Sequence, residues 1–442
     1  MPLLRVLGVW FGVAIVIGGT IGAGILRTPG LVMAHVGSPT LAIMVWVVAG
    51  LFAMAAAASL AELAAAVPKS GGFYVFAQRA LGDGFGFVAG SADWLANCAA
   101  VAYVAVAAAE YIGILQPQLA SHQPLVASTS IVAIAVLQLA GTRASGRIQE
   151  AMSLIKAVAF TALVVALFAA APVAGPALQQ TRPPSFPIVG FALSLQLAIG
   201  AYDGWQSGSY FAGEDLNPGR NLPRAFIGGT AIVMAVYVLL NAAVQHVLPA
   251  ATIAGSPLPI SDAASQVLGG RGSSAVTLIA IWSPLTIMSA TLLCPTRILH
   301  AMGRDGVLPA ALGRADRLGT PLAGLVCSTT AALALVQLGG FESVATVASV
   351  FMFTGYLSAL VSLLVLRRRE PDLPRPFRVW GAPWTVLLVI AGYVAIFAGV
   401  VAGAPRDAAI GVGVLVAGYA VYRTYVASGP PSPGFGATRR PR

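Results

Sequence analysis

The sequence predicts an all-α integral membrane protein of twelve spanning helices, and three observations predict it. Hydrophobic residues make up 58% of the 442-residue chain and charged residues only 9%, against about 25% charged in soluble domains. No soluble core of such a chain hides that much apolar side chain. The apolar residues also fall into runs long enough to cross a bilayer, which takes roughly 20 residues. Finally, the net charge of +10 is spread between those runs rather than gathered on one face. That is the pattern of membrane loops, and it argues against nucleic acid as a partner.

The first span, 6–35, contains "IVIGGTIGAGILRTPG", residues 15–30. Glycine costs a helix about 1 kcal/mol relative to alanine and proline about 3, so a segment that only had to span would not use five glycines here. The span is too long for a cleaved signal peptide and lacks a small-residue cleavage site. Spans at 39–66, 85–115 and 124–142 follow as plain apolar runs. Cys98, Cys294 and Cys327 are far apart in apolar stretches, without a CxxC pair. They imply neither a disulfide framework nor a zinc site, and read as buried thiols. The fifth span, 151–173, holds Lys156 about six residues in, roughly 9 Å deep. From there its stem could snorkel to the interface.

The sixth span, 188–213, lies in "LAIGAYDGWQSGSYFAGEDLNPGRNLPRA", with Gly200, Gly204, Gly208 and Gly213 and an acid, Asp203, at mid-span. Spans at 223–248, 273–303, 320–338, 342–366, 380–402 and 407–426 complete the twelve. The remaining 427–442 is rich in Pro, Gly and Ser and reads as a disordered tail. Spans one and six are thus both interrupted by glycine, five helices apart. An odd repeat length inverts the second copy, and such a pair points to a transporter binding site. A broken helix offers backbone N–H groups, which suit a carboxylate, at one half-helix start. At the other half-helix end it offers carbonyls, which suit an ammonium. The pair therefore fits a zwitterion such as an α-amino acid. The alternative is that the glycines only allow close helix packing.

At these residues the chain resembles a family. "GGTIGAGILRTPG" resembles the first-helix signature of amino acid–polyamine–organocation transporters. "AELAAAVPKSGGFYVFAQRALG" (61–82), the "AYDGW" run with its exit loop, and "RILHAMGRDGVLP" (297–309) resemble later segments in the right order. The run around "AYDGW" points to the L-amino acid transporter branch and its bacterial serine/threonine-exchanger-like relatives. The resemblance implies a five-plus-five inverted repeat (1–175 and 176–370), two further helices in 371–426, and alternating access. It implies that Ile21, Gly22, Ala23 and Gly24 form the unwound part of helix one and bind the substrate carboxylate. Carbonyls near Ile21 and those of Ile199, Gly200 and Ala201 would receive the amine, with Tyr202 beside them. It also implies that Lys156 replaces a sodium ion, bridging helix one and helix eight near Ser283 or Thr286. As a buried amine, Lys156 is also the first candidate to gain or lose a proton in the cycle. The branch usually has a bulky aromatic at the position of Gly200. Without it, the pocket accepts larger side chains or is closed by Tyr202 or Trp205.

Asp203 reads as a gate or local structural group at the break. The pocket wall is expected from Cys98, Ala102 and the region 351–354, mostly small and apolar, which implies a neutral substrate. Glu62 and Glu214 are candidates to pair with arginines. Of the 25 Lys and Arg residues, all but Arg27, Arg182, Arg271, Arg406 and Lys156 fall on one side of the span pattern. That places both termini in the cytoplasm, of a protein in the inner membrane. No cofactor is implied and no enzyme constellation is visible. A homo-oligomer is possible; no obligate partner subunit is expected, since no exposed cysteine is foreseen. A polyamine or organic cation carrier, and a non-transporting amino acid sensor or channel, are the competing readings.

Overall fold

The computed structural model describes residues 3–172, 187–338 and 341–428, and it is helical throughout. In chain order the helices are α1 Val9–Thr20, α2 Ala23–Val36, α3 Pro39–Ala66, α4 Phe73–Leu81, α5 Asp83–Leu115, α6 Gln123–Gln138, α7 Thr142–Ala169 and α8 Pro187–Ala201. Then come α9 Pro218–Val247, α10 Ala250–Gly255, α11 Pro259–Leu268, α12 Gly270–Arg304, α13 Leu322–Leu338, α14 Phe341–Arg369, α15 Trp384–Gly403 and α16 Pro405–Ser428. A 3-10 segment, Trp205–Phe211, continues α8. Among the described residues there is no strand, only an isolated bridge between Leu7 and Asp215. Of the expected tail (427–442), residues 427 and 428 end α16, while 429–442 and Arg182 lie outside the described residues.

Among the described residues nine helices are long and apolar enough to cross a bilayer, and ten spans result if the bent pair α1–α2, with 51° between its halves, is one. That is a multi-pass membrane protein. By length and hydropathy this falls short of the expected twelve. α13 is a shorter apolar helix, and α16 carries charged and polar residues at both ends of its apolar run. The short helices α4, α10 and α11 lie between the expected spans. α7 begins nine residues before the expected span. Its polar first turns, "TRASGRIQE", hide the start from a hydropathy reading.

Small residues let the helices approach. A Cβ on Gly12 would lie 2.6 Å from the Ala225 Cβ, and one on Gly229 2.8 Å from the Val16 Cβ, so α1 and α9 meet almost backbone to backbone. Close packing of this kind drives association where water cannot. The helix ends alternate between two faces of the bundle. One, the basic end, gathers Arg79, Arg297 and Arg367. Here buried Glu214 bonds Arg297 through both carboxylate oxygens, and buried Glu62 takes Arg367, Arg375 and the Val379 N–H. The expected glutamate–arginine pairs are therefore formed. At the opposite end Arg27 meets Glu110 at 3.2 Å.

Candidate functional site

The chain leaves helical geometry at two places that touch. α1 ends at Thr20, Ile21 is extended, and α2 starts after Gly22 with no side-chain cap. The second break follows α8: Gly204 has φ +124, a conformation that favours glycine. A Cβ there would lie 2.5 Å from the Gly19 carbonyl oxygen and 2.8 Å from the Thr20 nitrogen. Only a residue without a side chain permits this backbone approach. Unwound backbone at membrane depth is tolerated where it is buried or lines a cavity, and here it does both.

A cavity of about 520 Å³ opens beside the junction. Gly22, Gly24, Gly200, Ala201 and Asp203 line it, together with Gly19, Thr20 and Gly204. The uncapped first turn of α2 thus presents N–H groups to it, the arrangement that favours an anion. Ile21, Ile199, Tyr202 and Trp205 do not line it. Tyr202 turns its hydroxyl to the Trp46 carbonyl (3.0 Å), and Trp205 packs on Tyr356. Neither ring closes the cavity in place of the missing aromatic, and a Cβ at Gly200 would meet nothing within 4 Å. The Ala23 side chain lies outside the described ones.

The carbonyls of the first break are already engaged. Lys156 Nζ donates to the Gly18 (2.9 Å) and Ile21 (2.6 Å) carbonyls, and Ser283 Oγ donates to Ile21 at 2.7 Å. Both lone pairs of the Ile21 carbonyl are therefore met. Thr286 is not part of this contact, because its hydroxyl bonds the Trp282 carbonyl of its own helix. Lys156 is 1% exposed and stands fourteen residues into α7, about 21 Å from its start. That is out of snorkelling reach, because the helix begins earlier than expected.

Tyr237 of α9 was not foreseen. Its hydroxyl lies 3.0 Å from the Thr20 carbonyl and 3.0 Å from the Ala201 carbonyl, spanning the two breaks. A tyrosine inside "VMAVYVLLNAAV" carries no local signal. Thr20 Oγ1 and Asp93 Oδ2 are buried without a hydrogen-bond partner, and both residues line the cavity.

The expected wall is corrected by helical phase. α5 presents Asp93, Ala96, Asn97, Ala100, Tyr103, Val104 and Ala107 to the cavity, the i, i+3, i+4, i+7 face. Cys98 and Ala102 fall on other faces and are buried among helices. From 351–354 only Met352 takes part, with Ala348, Ser349 and Tyr356 on the same face of α14. Asp203 accepts from the Tyr356 hydroxyl. Cys98 and Cys294 are buried as expected, whereas Cys327 is exposed on the outer face of α13.

Residues 7–422 match the amino acid permease family. The chain is similar to the serine/threonine exchanger SteT of Bacillus subtilis, 25% identical over 403 residues, covering 88% of this chain and 90% of that protein. It is 28% identical to the branched-chain amino acid permease BcaP of the same organism, over 86% of this chain and 85% of that one. It is 27% identical to the mouse Asc-type amino acid transporter 1, over 96% and 81%.

Proposed function

The chain belongs to the amino acid permease family, and from that premise we propose that it carries neutral L-amino acids by alternating access, without sodium, as an exchanger or a proton symporter. It is a multi-pass membrane amino acid transporter and not an enzyme. The observation that carries the finer reading is the junction of the two breaks. An anion-binding helix start and a set of helix-end carbonyls face one cavity. The substrate carboxylate docks on the N–H groups from Gly22 to Gly24. The amine docks on the remaining lone pairs of the Thr20 and Ala201 carbonyls and on the Thr20 hydroxyl, because Ile21 is saturated. The Lys156 amine occupies the place where the carbonyls of an unwound helix would otherwise attract a cation. A five-plus-five inverted repeat in the inner membrane, with both termini cytoplasmic, belongs to the same proposal; the exposed Cys327 removes the reason given for expecting no partner subunit.

One observation favours a second reading. Asp93 and Asp203 both line the cavity, with the Tyr103, Tyr210 and Tyr356 rings, and acids with aromatics suit a polyamine. Counterflow of labelled alanine, serine and leucine into proteoliposomes, competed by putrescine, separates the two. Neutral amino acids exchanging against one another with putrescine inert is the expected result. Putrescine exchange alone would overturn the neutral reading.

A further inference from the structure

Asp93 is a buried acid that the substrate reading does not use. It is 3% exposed on α5, facing the cavity. Its Oδ1 accepts the Tyr210 hydroxyl at 2.7 Å and the Asn97 amide at 2.9 Å. Its Oδ2 makes no hydrogen bond of full geometry, although the Gly72–Phe73 turn lies against it. That turn is wedged onto the same joint. Gly72 has φ +58, and a Cβ there would sit 2.3 Å from the Tyr210 ring and 3.1 Å from Asp93 Oδ2. Tyr210 belongs to the 3-10 segment that continues the broken span. One carboxylate therefore joins a straight helix, the far half of a broken one and the turn before α4, at the basic-end side of the cavity.

The surrounding ionisable groups leave it without a counter-charge. The Tyr210 phenol and, on α12, the Cys294 thiol face it. Tyr74 on α4 bonds Asp305, Tyr356 on α14 bonds Asp203, and Arg297 on α12 is held by Glu214. No cation pairs with Asp93 among the described residues. An unpaired carboxylate in this position is costly, and intramembrane acids of this kind mark proton relays. Lys156, another buried ionisable group at the site, already spends its Nζ donors on the Gly18 and Ile21 carbonyls.

We propose that Asp93 is the proton-binding site that couples transport to proton movement. The inference rests on the reading of the chain as an amino acid transporter. A proton from the cavity binds Oδ2, making a neutral acid that keeps the Tyr210 and Asn97 bonds on Oδ1 and lets Trp205–Phe211 stay docked on α5. When the segment swings away and the basic end opens, water reaches the acid. The proton then leaves on that side with the substrate.

The test uses full-length protein in proteoliposomes with a trapped pH dye. Counterflow of labelled alanine, serine or leucine is measured first, and protons moved per amino acid are measured next under an inward pH gradient. In the wild type one proton accompanies each amino acid. In Asp93→Asn, which mimics the protonated acid, the ratio falls to zero, and Asp93→Glu restores it. A wild-type ratio of zero with intact counterflow overturns the proton site alone, as does an unchanged ratio in Asp93→Asn. Absence of counterflow for all three amino acids overturns the transporter reading and this inference with it. If Asp93→Asn takes up nothing, Asp93→Glu decides. A pH–rate profile shifted up by about 0.4 unit, the difference between the two side chains, supports the site, and an unshifted profile overturns it.

Discussion

At the basic end, Glu214 and Arg297 are almost wholly buried and doubly hydrogen-bonded, while at the opposite end Arg27 and Glu110 meet with about half of each side chain exposed. Arg297 also spans elements: it reaches the Thr142 hydroxyl on α7 and lies 5.0 Å from the centre of the Phe211 ring. In the exposed pair, Arg27 lies over the neighbouring Tyr111 ring, 5.5 Å from its centre. The cavity runs from the junction towards Arg27 and stops short of Arg297. The difference teaches which end is shut. Charges buried deeply hold together only while every partner stays in place, so such a pair acts as a latch, tight when docked and unstable when half open. An exposed pair is weak and can yield to an incoming ligand.

The largest expected effect comes from breaking the latch on one side only. Arg297→Ala leaves Glu214 buried without its cation and should lower stability by about 3–5 kcal/mol, read as earlier thermal unfolding in detergent. Equal stability of this variant and the wild type would mean that the basic end is not held by that pair. Arg27→Ala sharpens the contrast. An exposed pair of this type contributes about 0.2–1 kcal/mol, so the same unfolding assay should barely move.

The smallest effect belongs to the rim of the basic end, where Arg79 grips Glu370 at 2.6 Å and holds its carboxyl below the usual glutamate range. A depressed carboxylate contributes stability above its unfolded value, roughly pH 4.3. That contribution is lost as pH falls through the depressed folded value. Glu370→Gln should therefore change stability by less than about 1 kcal/mol at neutral pH. It should also flatten the acid limb of the stability profile, measured by unfolding midpoints between pH 3 and pH 6.

Glycine made the two breaks legible in the sequence, because no other reason justifies so many in an apolar run. Their meeting was legible only as a repeat, and the contact of Gly204 with Gly19 needed the fold. Lys156 was visible as an odd charge, but its depth was misjudged, since the polar opening of α7 looks like a loop. Phase was only partly legible. Asp93 and Asn97, one turn apart, are polar residues that mark the cavity face of α5, whereas the Ala- and Val-rich stretch after Cys98 carries no such mark. Tyr237 was invisible for the same reason. Glu62 and Glu214 could be guessed as arginine partners, but which arginine each takes is set by helix ends brought together from distant parts of the chain.

The central claim is that the Lys156 amine, reaching from α7 to the carbonyls of the unwound first span, stands where a cation would otherwise bind. Its most direct test is counterflow of labelled amino acid in sodium-free proteoliposomes, with wild type and Lys156→Ala reconstituted side by side and folding checked by size exclusion. The account predicts full exchange without sodium in the wild type and little or none in the folded variant. Wild-type exchange that requires sodium, or a variant exchanging at the wild-type rate, would contradict it.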